Sequence, residues 1–253
     1  MTRYAIWVIE SETPLGVTMA QNEERRQRIL DAAAMLIGRY GYDKTTIDDI
    51  AGEAGVSKGA VYLEFRSKEA LFEELLLREM RDYAREWIRR IDEDPQGGTI
   101  GAMYKNSLYA MSDNHFMGAM LGRDKRTFGN YLHKRDNFFQ RMQERQEESS
   151  RYTFVKLMQE AGAIRNDLDA RVVAHIMNII GCGMLAVDDV TPAAERPSLD
   201  ETLEGIAVVM DAALTPLNGV DSSVGKALLH KVYRSGMEQY DESVKEVGRG
   251  DNR

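Results

Sequence analysis

Residues 45–62, Thr45-Thr46-Ile47-Asp48-Asp49-Ile50-Ala51-Gly52-Glu53-Ala54-Gly55-Val56-Ser57-Lys58-Gly59-Ala60-Val61-Tyr62, decide how this chain is read. The run describes two short helices joined by a tight turn. Ile50, Val56 and Val61 are apolar where the helices must bury a shared seam, and Ala51 is small where they cross closely. Gly55 stands at the turn, where a positive φ is easily reached only by glycine. Ser57 is suited to cap the second helix, because its hydroxyl accepts from an otherwise unsatisfied backbone N–H. The small residue, the turn glycine and the three seam positions together give the layout of a helix-turn-helix.

Working outward, the neighbours also read as helices. On the N-terminal side Ile29, Leu30, Ala33, Leu36, Ile37 and Tyr40 form one apolar face, and Gly41 follows as a stop signal. On the C-terminal side Ser67 can cap a long helix, 67–93, with Leu71, Phe72, Leu75, Leu76, Met80, Tyr83 and Trp87 on one side. It should end before Asp94-Pro95 and Gly97-Gly98. Further helices are expected around 99–112, 115–121, 125–162 (with a break near Gly129 or at 147–150), 167–187, 198–215 and 223–246. Ser198 and Glu201 form a capping box at the start of one of them. No strand pair is legible after Met19. The expected division is an arm at 1–19 or a start at Met19, a head at 20–67, a body at 68–247 and a polar tail at 248–253.

Composition excludes several classes. The chain has 253 residues, with 33 Lys+Arg against 41 Asp+Glu and a net charge of −8. A hydrophobic content of 43% can supply a core. The single cysteine, Cys182, rules out an internal disulfide framework and fits a reducing cytoplasm. No apolar run is long enough to span a bilayer, and the first residues do not read as a signal peptide, so no membrane partner is expected. There is no nucleophile elbow, no zinc-helix motif and no phosphate or dinucleotide loop. The four histidines, His115, His133, His175 and His230, are too scattered for a helical metal pair. No enzymatic activity, metal or cofactor is therefore expected.

The segment from about Arg28 to Leu76 resembles the DNA-binding region of the tetracycline-repressor (TetR) family. The likeness is carried by Ile29-Leu30-Asp31-Ala32-Ala33, Tyr40-Gly41-Tyr42, residues 45–51, residues 55–62 and Phe65-Arg66-Ser67-Lys68-Glu69-Ala70-Leu71. It implies an all-α protein: a three-helix DNA-binding head and a helical body for ligand binding and dimerisation. The helix from Ser57 would enter the major groove of double-stranded DNA. Ser57, Lys58, Gly59 and Ala60 would face base edges, with Lys58 suited to guanine O6/N7. Thr46, Tyr62 and Lys68 would lie along the phosphates, which position rather than specify, and Thr45 belongs to the same DNA-binding set. For Tyr62 a place in the core stays open. Glu64 departs from the family pattern and would repel phosphate unless it turns away or pairs with Arg66 or Lys68. Between Ala20 and Lys68, eight basic and eight acidic side chains cancel. Specificity must then come from few groove contacts and from a dimer on a pseudo-palindromic operator.

The body is less specific. The helix at 167–187 is apolar on nearly every side and reads as buried all round. By the resemblance it lies between a ligand cavity and a second copy of the chain, and with the helix at 198–215 builds a four-helix dimer interface. Ala174, Gly181, Leu185, Leu203, Ile206 and Met210 are the interface candidates, with an intrachain core as the alternative. His175, Asn178 and Cys182 share one helical face and are candidate cavity residues, or else satisfied core groups. Tyr83, Trp87, Met103, Tyr104, Phe116, Met120, Tyr131 and Phe138 complete the pocket candidates, in a wider pool that includes Phe154. Arg123, Lys125 and Arg126 could receive an anion or simply be solvated. The function expected is a repressor released from its operator by a small apolar or amphipathic molecule. The alternatives are a DNA-binding regulator without such an inducer, and a helical small-molecule binder that no longer reads DNA.

Overall fold

The computed structural model describes residues 15–144 and 148–249, and among them every regular element is helical. The first fourteen residues of the expected arm and most of the polar tail lie outside the described residues. The order is α1 (Leu15–Tyr40), α2 (Ile47–Glu53), α3 (Lys58–Glu64), α4 (Lys68–Glu93), α5 (Ile100–Ser112), α6 (His115–Gly122) and α7 (Lys125–Phe128). A 3-10 turn (Gly129–His133) leads to α8 (Phe138–Glu144), α9 (Ser150–Glu160), α10 (Ala170–Met184), α11 (Val187–Val190), α12 (Leu199–Leu214) and α13 (Ser222–Arg249). The expected helix at 125–162 is thus several short pieces. Asp124 caps α7, and Gly129 follows at φ +50°.

Local signals place the helix ends. The side chains of Thr46, Ser57, Ser67, Thr99, Ser149 and Ser198 each accept a backbone N–H at an N-cap. Reciprocal capping boxes join Thr46 to Asp49 and Ser198 to Glu201. Gly41 ends α1 at φ +83°, and a Cβ there would lie 2.3 Å from the Arg126 carbonyl. Both the backbone angle and the space demand glycine.

Two apolar clusters form the interior. The first joins Ile29, Leu30, Ala33 and Ile37 of α1 to Ile50, Val61 and Phe65, and to Leu71, Phe72, Leu75 and Leu76 of α4. Phe116, Phe128, Tyr131 and Phe138 belong to it as well. Packing therefore does not break after Ser67, because the head core continues into the segment 116–139. The second cluster joins Ile88 and Ile91 of α4 to Ile100, Met103, Tyr104 and Leu108 of α5, with α9, α10, α12 and α13. Helix α4, about 39 Å long at 1.5 Å per residue, contributes to both.

Candidate nucleic-acid interface and body cavity

The turn between α2 and α3 is built as its sequence demands. Gly55 sits at φ +65°, and the Val56 N–H donates to the Ala51 carbonyl at 3.0 Å. The Ala60 N–H donates to Ser57 Oγ at 3.1 Å, which fixes the first turn of α3. Val61 and Phe65 anchor α3 inward, with relative exposures of 0% and 3%. The opposite face is open. Lys58 and Gly59 are exposed, Tyr62 is 49% exposed and Leu63 82%. A Cβ on Gly59 would meet only Ser57 Oγ, at 3.8 Å, so folding does not require glycine there. Tyr62 is accordingly a surface side chain, not a core one. Leu63 was missed by sequence reasoning, yet its position between the inward Val61 and Phe65 is the signal that it must point out.

Charge on this face is partly cancelled. Lys58 Nζ lies 2.9 Å from Asp48 Oδ2, and this hydrogen bond raises the lysine pKa. Glu64 does not pair with Arg66 or Lys68. It folds back onto α1, where Arg25 Nε donates to Oε1 at 3.0 Å and Arg26 Nη1 lies 3.4 Å from Oε2. Arg26 continues to Glu74 of α4, at 2.6 Å. The carboxylate that threatened a phosphate contact is thus turned inward by two guanidinium groups.

Two expected DNA contacts are corrected. Thr45 is 2% exposed and its Oγ1 donates to the Gly41 carbonyl at 2.9 Å, so it closes the turn after α1. Lys68 directs its ammonium to the Tyr42 carbonyl and over the Tyr42 ring, 4.0 Å from the centroid. Burial lowers its pKa. Thr46 stays exposed, but its Oγ1 already donates to Asp49 Oδ2 at 2.7 Å.

The body holds a half-enclosed cavity of 190 Å³. Tyr83, Trp87, Met103 and Tyr104 line it as expected, with Phe154. Ser107, Ser150, Arg151, Met177 and Val232 complete the wall and were not foreseen. Trp87 Nε1 donates to the Met103 carbonyl at 2.9 Å, which fixes the indole. The Tyr104 hydroxyl donates to the Met177 carbonyl, and burial raises its pKa. Phe116, Met120, Tyr131 and Phe138 are not in the wall, because they fill the head-side cluster. Arg123, Lys125 and Arg126 do not line it either, and their side chains are exposed.

Helix α10 faces the other way from the expectation. Its buried stripe is Ala170, Val173, Ala174, Met177 and Gly181. His175 and Cys182 are exposed on its outer side and Asn178 is half-buried, so the three do not line the cavity. The helix is not buried all round: Val172, Ile176 and Ile179 are exposed. Among the interface candidates, Ala174, Gly181, Leu203 and Met210 are buried in the subunit's own core. Leu185 is exposed and Ile206 half-buried. The exposed apolar side chains of these helices are instead Ile176 and Ile179 of α10 and Val208 and Val209 of α12, the last pair 67% and 64% exposed.

Comparison with known proteins agrees with the head geometry. Residues 29–75 match the family described as bacterial regulatory proteins, tetR family. Residues 29–75 are a tetR-family DNA-binding segment. It is 29% identical to the HTH-type transcriptional repressor Rv1474c of Mycobacterium tuberculosis, over 64% of this chain and 81% of that protein. The regulator YerO of Bacillus subtilis is 50% identical over 48 residues, 19% of this chain and 17% of its own length. Most such tetR-family relatives are matched over less than half of their length. A tetR-family structure from a Rhodococcus species superposes with a TM-score of 0.53 at 23% identity, covering 76% of this chain and 98% of that one, a likeness of fold. Members of the family are DNA-binding regulators rather than enzymes. Among the described residues no helix is long and apolar enough to cross a membrane, and no cluster of His, Cys, Asp and Glu could hold a metal.

Proposed function

We propose that this chain is a homodimeric transcriptional repressor whose α3 reads DNA and whose body cavity takes an effector that releases it. The observation that carries the reading is the outer face of α3. Its anchors Val61 and Phe65 are buried while Lys58, Gly59, Tyr62 and Leu63 are exposed toward a groove. Lys58 leaves Asp48 to meet a base edge, Gly59 permits close approach, and Tyr62 reaches the backbone. A gel shift on the DNA upstream of the protein's own coding sequence tests this. Lys58→Ala should weaken binding about tenfold or more and relax the base preference at the position it contacts. Equal binding by wild type and variant would sink the reading of α3.

The exposed apolar side chains of α10 and α12 support a dimer. Two copies pairing α10 and α12 about a two-fold axis would bury Ile176, Ile179, Val208 and Val209 in a four-helix interface. Such an axis spaces two recognition helices for half-sites about 34 Å apart or a multiple of it. Ile179→Glu should shift the sedimentation of the protein from dimer to monomer. An unchanged dimer in that variant would place the interface elsewhere.

A further inference from the structure

The body cavity has a chemistry of its own. Its walls are ring faces. Tyr83 stacks on Trp87 at 6.3 Å, and Phe154 meets the indole edge-on at 6.2 Å. Met103 and Met177 add polarizable, deformable surface. Because Trp87 is tied to the Met103 carbonyl, this aromatic slot is preformed. Ser107 and Ser150 bring hydroxyls to the lining. Charge enters through one residue, Arg151 near the start of α9. Its guanidinium lies 5.5 Å from the Tyr104 ring centroid. None of the residues that line the cavity is acidic. The phenols of Tyr83 and Tyr104 stay protonated, since burial raises both. The lining therefore carries one positive charge and no negative one.

We propose that the effector is a small aromatic carboxylate: one ring against Trp87, Phe154 and the methionines, with its acid group on Arg151. This rests on the reading of the body cavity as an effector site and names its ligand class. The guanidinium fork matches a carboxylate in a planar, two-bond geometry. A cation would face the like charge of Arg151 with no carboxylate in the lining to offset it. A volume of 190 Å³ falls below the roughly 300–1,000 Å³ of sites for drug-sized ligands, which suits a single ring with a short acidic arm. A long acyl chain does not fit that space without moving α9 or α13.

Isothermal titration calorimetry on the full chain tests the proposal with three probes: phenylacetate, its neutral isostere phenylacetamide, and octanoate. Wild type should bind phenylacetate at least about tenfold more tightly than either of the others. Arg151→Gln should lose about tenfold or more in phenylacetate affinity and leave phenylacetamide unchanged, while Arg151→Lys recovers part of the loss. Amide binding equal to acid, octanoate binding tighter than phenylacetate, an unaltered acid affinity in Arg151→Gln, or binding of none of the probes would each overturn it. A ligand-free gel shift run alongside separates the two readings. Retained, Lys58-dependent DNA binding with failed calorimetry removes only the ligand class. Acid binding with no DNA complex removes the repressor reading and keeps the cavity chemistry.

Discussion

The head-side core and the body cavity are both built from aromatic residues, and they are finished differently. In the head-side core Tyr42, Phe72, Phe128 and Tyr131 pack with ring centroids 4.8–5.9 Å apart. Every phenol there is tied: Tyr42 donates to Glu69 at 3.1 Å and Tyr131 to Glu73 at 2.9 Å. Backbone stitches close the same region, from the Tyr42 N–H to the Thr127 carbonyl at 2.8 Å and from the Asn130 N–H to the Asp43 carboxylate at 2.9 Å. In the body the rings stand at 6.2–6.3 Å around 190 Å³ of space. Filled aromatic packing makes a stiff platform, because dense interiors transmit displacement rather than absorb it. Unfilled packing leaves a place whose contacts a ligand can complete. Helix α4 runs from one region to the other, so filling the second can tilt the first.

This contrast can be broken by mutation. Phe72→Ala removes a fully buried ring from the platform and should cost about 3–5 kcal/mol in thermal or denaturant unfolding. Phe154→Ala, at the half-buried cavity wall, should cost about 1–2 kcal/mol. Equal losses would mean that the two regions are equally packed. A smaller effect of opposite sign comes from filling the void. Val232→Leu should raise stability by about 0.5–2 kcal/mol while weakening any cavity ligand. Destabilisation by that change would show that the space is already filled.

The smallest effect is in acid. Burial would raise the Glu69 pKa, but hydrogen bonds and charge from Lys134, with the Tyr42 hydroxyl, outweigh it and hold the carboxyl at about 2 instead of 4.5. A carboxyl depressed on folding contributes stability above its unfolded value, and the contribution fades as pH falls from about 4.5 toward 2. The pair is partly exposed, so screening keeps this contribution small. Lys134→Met should therefore flatten the acid limb between those pH values by lowering neutral-pH stability slightly and leaving stability at the acid end unchanged. An identical acid limb in variant and wild type would remove the pair from the account of the platform.

Much of the head was legible because its signals are local. Gly41 and Gly55 are needed at positive φ, and Ser57 and Ser67 cap within three residues of themselves. The seam of Ile50, Ala51, Val56 and Val61 follows from periodicity within one short motif. The pairing of Glu64 with Arg25 was not legible, since 39 residues separate the partners. Nor was the burial of Thr45, which depends on a carbonyl exposed by the end of α1.

The body shows the limit most clearly on α10. The stripe His175, Asn178 and Cys182 and the stripe Ala174, Met177 and Gly181 obey the same spacing and differ by one residue, a turn of about 100° around the helix axis. Nothing in the chain's own order chooses between them. Contact with Tyr104 and Leu121 chooses, because the Gly181 surface lies close to both and so turns inward. The amino-acid order alone determined most of the long helices, the caps at Ser57, Ser67 and Ser198, and the helix-turn-helix. Folding in three dimensions decided which apolar faces became core, cavity wall or open surface, because that choice depends on neighbours brought together from distant parts of the chain.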